Sequence, residues 1–262
     1  MIKLIKRLYD DITTSRHVIS NFVNQALTVK YKRSALGFLW SLLNPMATMI
    51  ISSIVFGSIM RFKLQDFVVF LYAGMLPWSF FGSSVDQCGI SILNNEGFIK
   101  KIYIPKIVFP LSTALALFIN MLFSMVALFL FMIVLGAKIT PALLFLPIAF
   151  LILFMWTFGI SLFVAAINVY FRDMQYIMGV VLNAWYYITP ILYPMDVIPE
   201  NLQILFRINP AYYIVDMFRA PIYYNCLPSM THFLLAVVCS VVVFVAGLSY
   251  FYAKEHDFVY RL

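Results

Sequence analysis

Residues 107–137 read IVFPLSTALALFINMLFSMVALFLFMIVLGA, thirty-one residues without one Asp, Glu, Lys or Arg. A helix of about 20 apolar residues crosses the hydrocarbon core of a bilayer. The run is continuous, whereas strands of a membrane barrel alternate apolar and polar residues, so the segment predicts a helix. Working outward, five more gaps lack those four residue types: 34–60, 67–85, 139–171, 174–195 and 233–253. Each is close to or above spanning length. The 67–85 gap is the shortest and holds Pro77, so a broken or tilted helix is expected there. The 139–171 gap is too long for one straight span and carries Pro141 and Pro147 near its start.

Composition agrees with this pattern. Of 262 residues 63% are hydrophobic and 11% are charged, against about 25% charged in an average soluble domain. A soluble fold of this size could not bury that much apolar surface. The expected fold class is an all-α integral membrane protein with six transmembrane helices. An N-terminal amphipathic interfacial helix precedes them, and re-entrant or interfacial segments lie between spans five and six. Residues 1–33 form the first unit. Residues 34–262 form the six-span domain, with a cytoplasmic loop at 86–106 and an outer loop at 196–232.

The formal net charge is +7, and its placement points to membrane topology rather than to nucleic acid. With six spans both termini share one side. That side carries Lys3, Lys6, Arg7, Arg16, Lys30, Lys32, Arg33, Lys100, Lys101, Lys106, Arg172, Lys254 and Arg261. The other carries Arg61, Lys63, Lys138, Arg207 and Arg219. Thirteen against five puts both termini in the cytoplasm. The first apolar run begins after about 33 residues, behind a basic segment, so the first span is expected to act as its own insertion signal. Cys88, Cys226 and Cys239 fall at different depths and predict neither a disulfide framework nor a metal site.

The first 33 residues carry two helical stripes. Ile5, Leu8, Tyr9 and Ile12 form one; Ile19, Phe22, Val23, Ala26 and Leu27 form the other, after a break at residues 13–15. Thr14 or Ser15 suits the N-cap of the second helix. Basic residues flank the second stripe, as in helices that lie in the headgroup plane. The same stripe would also suit packing on a partner protein. Lys30, Tyr31, Lys32, Arg33 and Trp40 then form a membrane-interface anchor, and Gly37 and Pro45 allow the chain to bend as it goes in.

The 86–106 loop contains the turn Asn94-Asn95-Glu96-Gly97, followed by Phe98, Ile99, Ile102, Tyr103 and Ile104. A solvated loop has no need of such side chains, so short docking helices are expected. Arg172-Asp173 makes a tight turn between two spans. Beyond it, 208–215 and 220–227 are apolar but too short to span. Half of the sixteen tyrosines lie between 176 and 224.

Several chemistries are missing. No glycine precedes a lysine, which excludes a Walker-type phosphate loop. No histidine falls inside a gap, and there is no HExxH motif or intramembrane carboxylate pair. No catalytic or metal-ligating set is assigned. Ion-coupled carriers place ionisable groups at the midplane, which these gaps lack. Energy from a partner at the cytoplasmic face fits better.

The stretch Tyr31-Lys32-Arg33-Ser34-Ala35-Leu36-Gly37-Phe38-Leu39-Trp40, with Asn44-Pro45, resembles the approach to the first span of type-2 ABC exporter permeases. Residues 94–105, in the pattern Asn-x-x-x-Phe-Ile-Lys-Lys-x-Tyr-x-Pro, resemble their cytoplasmic coupling segment. Asn168-x-Tyr-Phe-Arg-Asp with Thr189-Pro190 and Tyr193-Pro194 is similar to their signature around the fourth and fifth spans. The closest branch exports lipid-linked polysaccharide: O-antigen, capsule or teichoic acid.

The resemblance implies a homodimer in the bacterial cytoplasmic (inner) membrane, each copy engaging one separate ABC ATPase that binds ATP and Mg. It implies no cofactor in this chain. Asn94, Asn95, Glu96, Phe98, Lys100, Lys101 and Tyr103 are the expected ATPase contact. Trp185, Tyr186, Tyr187 and Tyr193 are the candidate glycan path, because ring faces pack on sugar C–H groups while hydroxyls hydrogen-bond. Helical spacing cannot put the three consecutive aromatics on one face, so only part of that set can line a pore. Rival readings are a type-2 permease for drugs or lipids and a membrane-embedded transferase.

Overall fold

The computed structural model describes residues 2–31, 39–60 and 64–262, and every regular element among them is a helix. Two short helices, α1 (Ile2–Thr14) and α2 (Arg16–Tyr31), precede α3 (Trp40–Met60) and α4 (Leu64–Asn94). The one-turn α5 (Glu96–Ile99) follows, then α6 (Val108–Val134) and α7 (Leu146–Tyr170), the latter led in by a 3-10 turn at Pro141–Phe145. After α8 (Met174–Ile188) come α9 (Glu200–Ile208), α10 (Pro210–Ile222), α11 (Met230–Lys254) and a terminal turn α12 (Phe258–Arg261).

Four stretches are long and apolar enough to cross a membrane: Phe67–Asn94, Val108–Val134, Pro141–Tyr170 and Met230–Arg261. They coincide with four of the six charge-free gaps. The 27 residues of α6 measure about 40 Å at 1.5 Å per residue. α3, with its apolar stretch Leu42–Ser52, and α8 occupy the other two gaps. The 15 residues of α8 measure only about 22 Å. α8 stops because Pro190 follows Thr189, which is extended at φ −99°, ψ 127°; a residue before proline is disfavoured in the helical region.

Three expectations change. α4 is a single helix through Pro77 rather than a broken one. A proline removes one backbone donor, and the neighbouring helices that bury Phe67–Ala73, Phe80 and Phe81 hold the helix regardless. α4 also continues to Asn94, so residues 86–94 of the expected loop are helical. Their polar side chains mark one face of the helix, not its end. The two apolar pieces at 208–215 and 220–227 are replaced by one helix, α10, with its mostly buried side packed on α4, α7 and α11.

The core has two parts. One, toward the Pro190 end of the bundle, gathers Phe81, Leu128, Leu153, Trp156, Met217 and Phe218. The other, toward the Asn95 end, gathers Ile19, Val23, Ile92, Ile107, Phe158 and Phe251. Between helices that span lipid, close van der Waals packing does the work of association. The tightest crossing joins α7 and α11. A Cβ on Gly159 would stand 2.7 Å from the Phe244 backbone, and one on Gly247 would stand 2.0 Å from the Gly159 carbonyl oxygen. Glycine is required at both.

The N-terminal helices pack on their own chain. Ile19 and Val23 of α2 are buried against the Asn95 end of the bundle, and the Phe22 ring meets Phe109 edge-on at 5.6 Å. Between α1 and α2 only Ser15 is outside a helix. On α1, Arg7 forms an ion pair with Glu255, and Asp11 accepts a hydrogen bond from the Tyr252 hydroxyl at 2.8 Å. Ile5 and Tyr9 of α1 remain exposed.

Candidate functional site

The 94–105 segment is built to project. α4 ends at Asn94, and the Asn95 amide turns back, donating from Nδ2 to the Ser91 carbonyl at 2.7 Å. The Asn95 carbonyl then accepts from the Phe98 and Ile99 amides at 3.0 and 3.1 Å, which closes α5. Ile99 is buried and pins the turn to the core, so its neighbours face outward. Phe98 is 49% exposed; its ring edge rests on Phe22 at 5.7 Å. Tyr103 is 91% exposed, with the Lys106 ammonium 5.3 Å from its ring centre. Ile102 is exposed as well, and Lys101 and Asn94 join it at the surface.

Glu96 and Lys100 sit one turn apart and pair at 2.5 Å. The Lys100 ammonium beside it holds the Glu96 carboxyl below the usual carboxylate range. The pair staples the short helix. The segment therefore presents two aromatic rings, an isoleucine and free lysine charge on a backbone fixed by its own hydrogen bonds. All seven of the expected contact residues fall on this one projection.

The other candidates divide. Lys30 and Tyr31 are the last positions of α2, and Trp40 opens α3 with its ring exposed. Lys32 and Arg33 lie outside the described residues. At the far end, Trp185 is packed against Phe81, Trp156 and Trp78, and its Nε1 donates to Asn209 Oδ1 at 2.8 Å. It is half-buried, with its ring packed against the core of the bundle. Tyr187 is 65% exposed, Tyr186 meets its ring edge-on and the Trp78 ring at a tilt, and the Tyr193 hydroxyl donates to the Tyr187 carbonyl at 2.6 Å.

Three residues to which no role was assigned organise these ends. Asn209 caps α10, accepting from the Ala211 amide at 3.0 Å, and its Nδ2 donates to Thr189 Oγ1 at 2.9 Å. Arg219, only 5% exposed, donates to the carbonyls of Pro190 and Ile191 at 2.7 and 2.9 Å, with its guanidinium 3.8 Å over the Phe70 ring. Asn168, in the signature at the end of the fourth apolar gap, donates to the Gly89 carbonyl at 2.9 Å and ties α7 to the last turns of α4. A charged residue in an otherwise apolar stretch was the signal for Arg219, and the Asn168-x-Tyr-Phe-Arg-Asp motif was the signal for Asn168; Asn209 gave none beyond its polarity.

A family model for the ABC-2 type transporter matches residues 19–223, which contain the projection, the Asn168 tie and the Arg219 anchor. The chain belongs to the ABC-2 type transporter family. Members of this family are membrane subunits of transporters. Within it, the chain is 29% identical over 260 residues to the O-antigen export system permease protein RfbA of Myxococcus xanthus, covering 98% of both chains. It is 30% identical over 238 residues to the RfbA protein of Klebsiella pneumoniae, covering 90% of this chain and 91% of that one. The polysialic acid transport protein KpsM of Escherichia coli is 27% identical over 237 residues, covering 87% and 90%.

Proposed function

We propose that this chain is the membrane permease subunit of an ATP-driven exporter of lipid-linked polysaccharide. The observation that carries the reading is end-to-end similarity to O-antigen export permeases together with a rigid aromatic and basic projection at one end of the bundle. In this account the chain crosses the bacterial cytoplasmic membrane six times, with α3 and α8 completing the four longer spans, and both termini lie in the cytoplasm. α9 and α10 form a re-entrant hairpin on the outer side. Two copies pair around the path. The chain has no cofactor of its own; two partner ATPases hold ATP and Mg.

The mechanism is conformational. Closure of the ATPases on ATP pushes on Phe98, Lys100, Lys101 and Tyr103. α5 is one turn long and is joined to α4 at Asn95, so a displacement passes directly into a helix that runs through the bundle. The Asn168 hydrogen bond to Gly89 passes it on to α7. Lys30, Tyr31, Lys32, Arg33 and Trp40 hold the N-terminal helices at the headgroup layer while the bundle moves. At the outer end, Tyr186, Tyr187 and Tyr193 offer ring faces and hydroxyls to a passing sugar chain.

Affinity purification of the tagged chain from its own membranes tests this reading. An ABC ATPase is expected to co-purify in equal amount and to be lost on Tyr103→Ala. Recovery of the chain free of any ATPase, or transferase turnover by the chain alone, would overturn it. A permease for drugs or lipids would keep the ATPase but leave surface polysaccharide unchanged on deletion.

A further inference from the structure

Lys106 stands where the 94–105 projection returns to the bundle. The residue after it, Ile107, is fully buried ahead of α6. Lys106 itself is half-buried, with its ammonium 5.3 Å from the ring centre of the exposed Tyr103. Its charge also acts on Glu255, just past the end of α11. Glu255 is 7% exposed. Its Oε1 pairs with the Arg7 guanidinium of α1. Its Oε2 is buried and has no hydrogen-bond partner among the described residues.

The seat of α1 on this carboxylate is well built. The Arg7 guanidinium lies 4.2 Å from the Tyr252 ring centre. One turn along α1, Asp11 accepts from the Tyr252 hydroxyl at 2.8 Å. Leu4, Leu8 and Ile12 pack on the core beneath. At the other end of the projection, Phe98 rests on Phe22 of α2. The N-terminal helices thus meet the projection near both of its ends, by an aromatic contact at Phe98 and by charge at Lys106.

A buried carboxylate oxygen without a donor is costly, and one carboxylate has acceptor sites for two cations. The charges acting on Glu255 belong to Arg7, Lys106, Asp11 and His256. Arg7 already holds Oε1, Asp11 is an anion, and His256 is exposed on the same terminal turn. Lys106 comes from the projection itself. Its present seat over an exposed ring is the weak form of a cation–π contact. A charge-assisted hydrogen bond to a buried carboxylate is stronger, and reaching it needs the projection to shift. An ATPase that covers the Tyr103 ring competes with Lys106 for it, and so favours that second seat. We infer that Glu255 is a positioning residue for coupling: when the ATPases close on ATP and take the Tyr103 ring, Lys106 passes to Glu255 Oε2, and the carboxylate then bridges the projection to α1. By this bridge the movement reaches the N-terminal helix, beside the route through α4. The inference rests on the export reading above and adds a second output to the same coupling segment.

Spin labelling of α1 in the full transporter tests it. Tyr9→Cys, at an exposed position of α1, carries a nitroxide in a chain whose Cys226 and Cys239 are serine. The purified complex with its ATPase is compared before and after addition of a non-hydrolysable ATP analogue with Mg. The analogue is expected to slow the motion of the label several-fold. Lys106→Met and Glu255→Gln are each expected to abolish that response while the ATPase still co-purifies, and Lys106→Arg to keep it. A merely structural role for these side chains would change recovery of the complex and leave the response to nucleotide in place. If Glu255→Gln does not yield folded chain, the two Lys106 variants decide. Three outcomes would overturn the inference: no slowing in the native background, a native response in Lys106→Met, or loss of the ATPase from the Lys106→Met complex. Failure of the export reading itself shows separately, as surface polymer that survives deletion of the chain.

Discussion

Arg219 donates through Nη1 to the Pro190 carbonyl at 2.7 Å, across 29 residues of chain. Nη2 reaches the next carbonyl, Ile191, at 2.9 Å. One buried guanidinium thus fastens the chain that leaves α8 to α10. Gly74 of α4 lies directly beneath it: a Cβ there would stand 2.8 Å from Nη2. Hydrogen bonds to charged groups contribute about 1.5–3 kcal/mol each. Arg219→Met is expected to lower the unfolding temperature of the detergent-purified chain clearly. Gly74→Ala is expected to lower it less, by pushing the guanidinium off its two acceptors. The two changes together should cost less than their sum, because they disturb one contact. Additive losses would show that Gly74 and Arg219 are independent.

Gly159 and Gly247 let α7 and α11 touch backbone to backbone. Overpacking a close-packed contact costs about 1–3 kcal/mol, more where only backbone can yield. Gly247→Leu is therefore expected to prevent accumulation of folded chain. Gly179→Leu, at a glycine with open space around it, should not. Size-exclusion recovery after solubilisation distinguishes them. Equal recovery would mean that the α7–α11 crossing is looser than described.

Tyr103 is almost wholly exposed, so its removal should leave the fold alone. Surface changes of this kind stay within about 0.5 kcal/mol. Aromatic anchors of an interface, by contrast, often contribute more than about 2 kcal/mol to binding. Tyr103→Ala is expected to keep the unfolding temperature and to weaken ATPase binding by at least about tenfold. Phe98→Ala should also weaken binding, with some loss of stability because its ring rests on Phe22. Unchanged ATPase affinity in both variants would remove the projection from the coupling route.

Arg7 and Glu255 join the N-terminal helix to the end of α11, and Glu255 is nearly buried. Removing the arginine leaves a buried carboxylate without its partner, a change that costs up to about 3–5 kcal/mol for fully buried pairs and less here, where Arg7 is partly exposed. Arg7→Ala is expected to loosen α1, seen as faster proteolysis near Thr13 and Thr14. Arg7→Ala with Glu255→Gln should restore part of the protection. If α1 is equally protected in all variants, the ion pair does not hold it.

The long helices are legible in the sequence because lipid demands unbroken apolar runs, and charge-free gaps record that demand directly. α10 is not legible in the same way. Asp216, Arg219 and Pro221 interrupt its apolar pattern, and Arg219 reads as a loop cation until the carbonyls of Pro190 and Ile191 are brought beside it. The polar run after Val85 has the opposite ambiguity. Asp86, Gln87 and Asn94 read as loop, yet they mark one polar face of a continuing helix. The projection at 94–105 is legible because exposed aromatic residues in a turn have no local explanation. Trp185 shows the limit of composition: an aromatic cluster on paper separates in space into a packed indole and more open tyrosines, and only the Asn209 hydrogen bond reveals which is which.

The central claim is that this chain carries polysaccharide across the membrane with energy delivered through residues 94–105. The most direct measurement follows the polymer in cells lacking the chain and complemented with either the native sequence or Tyr103→Ala. The account predicts that deletion leaves completed lipid-linked polymer inside the cell, that the native chain returns it to the surface, and that Tyr103→Ala, present at normal level, returns little. Normal surface polymer in the deletion strain would contradict it.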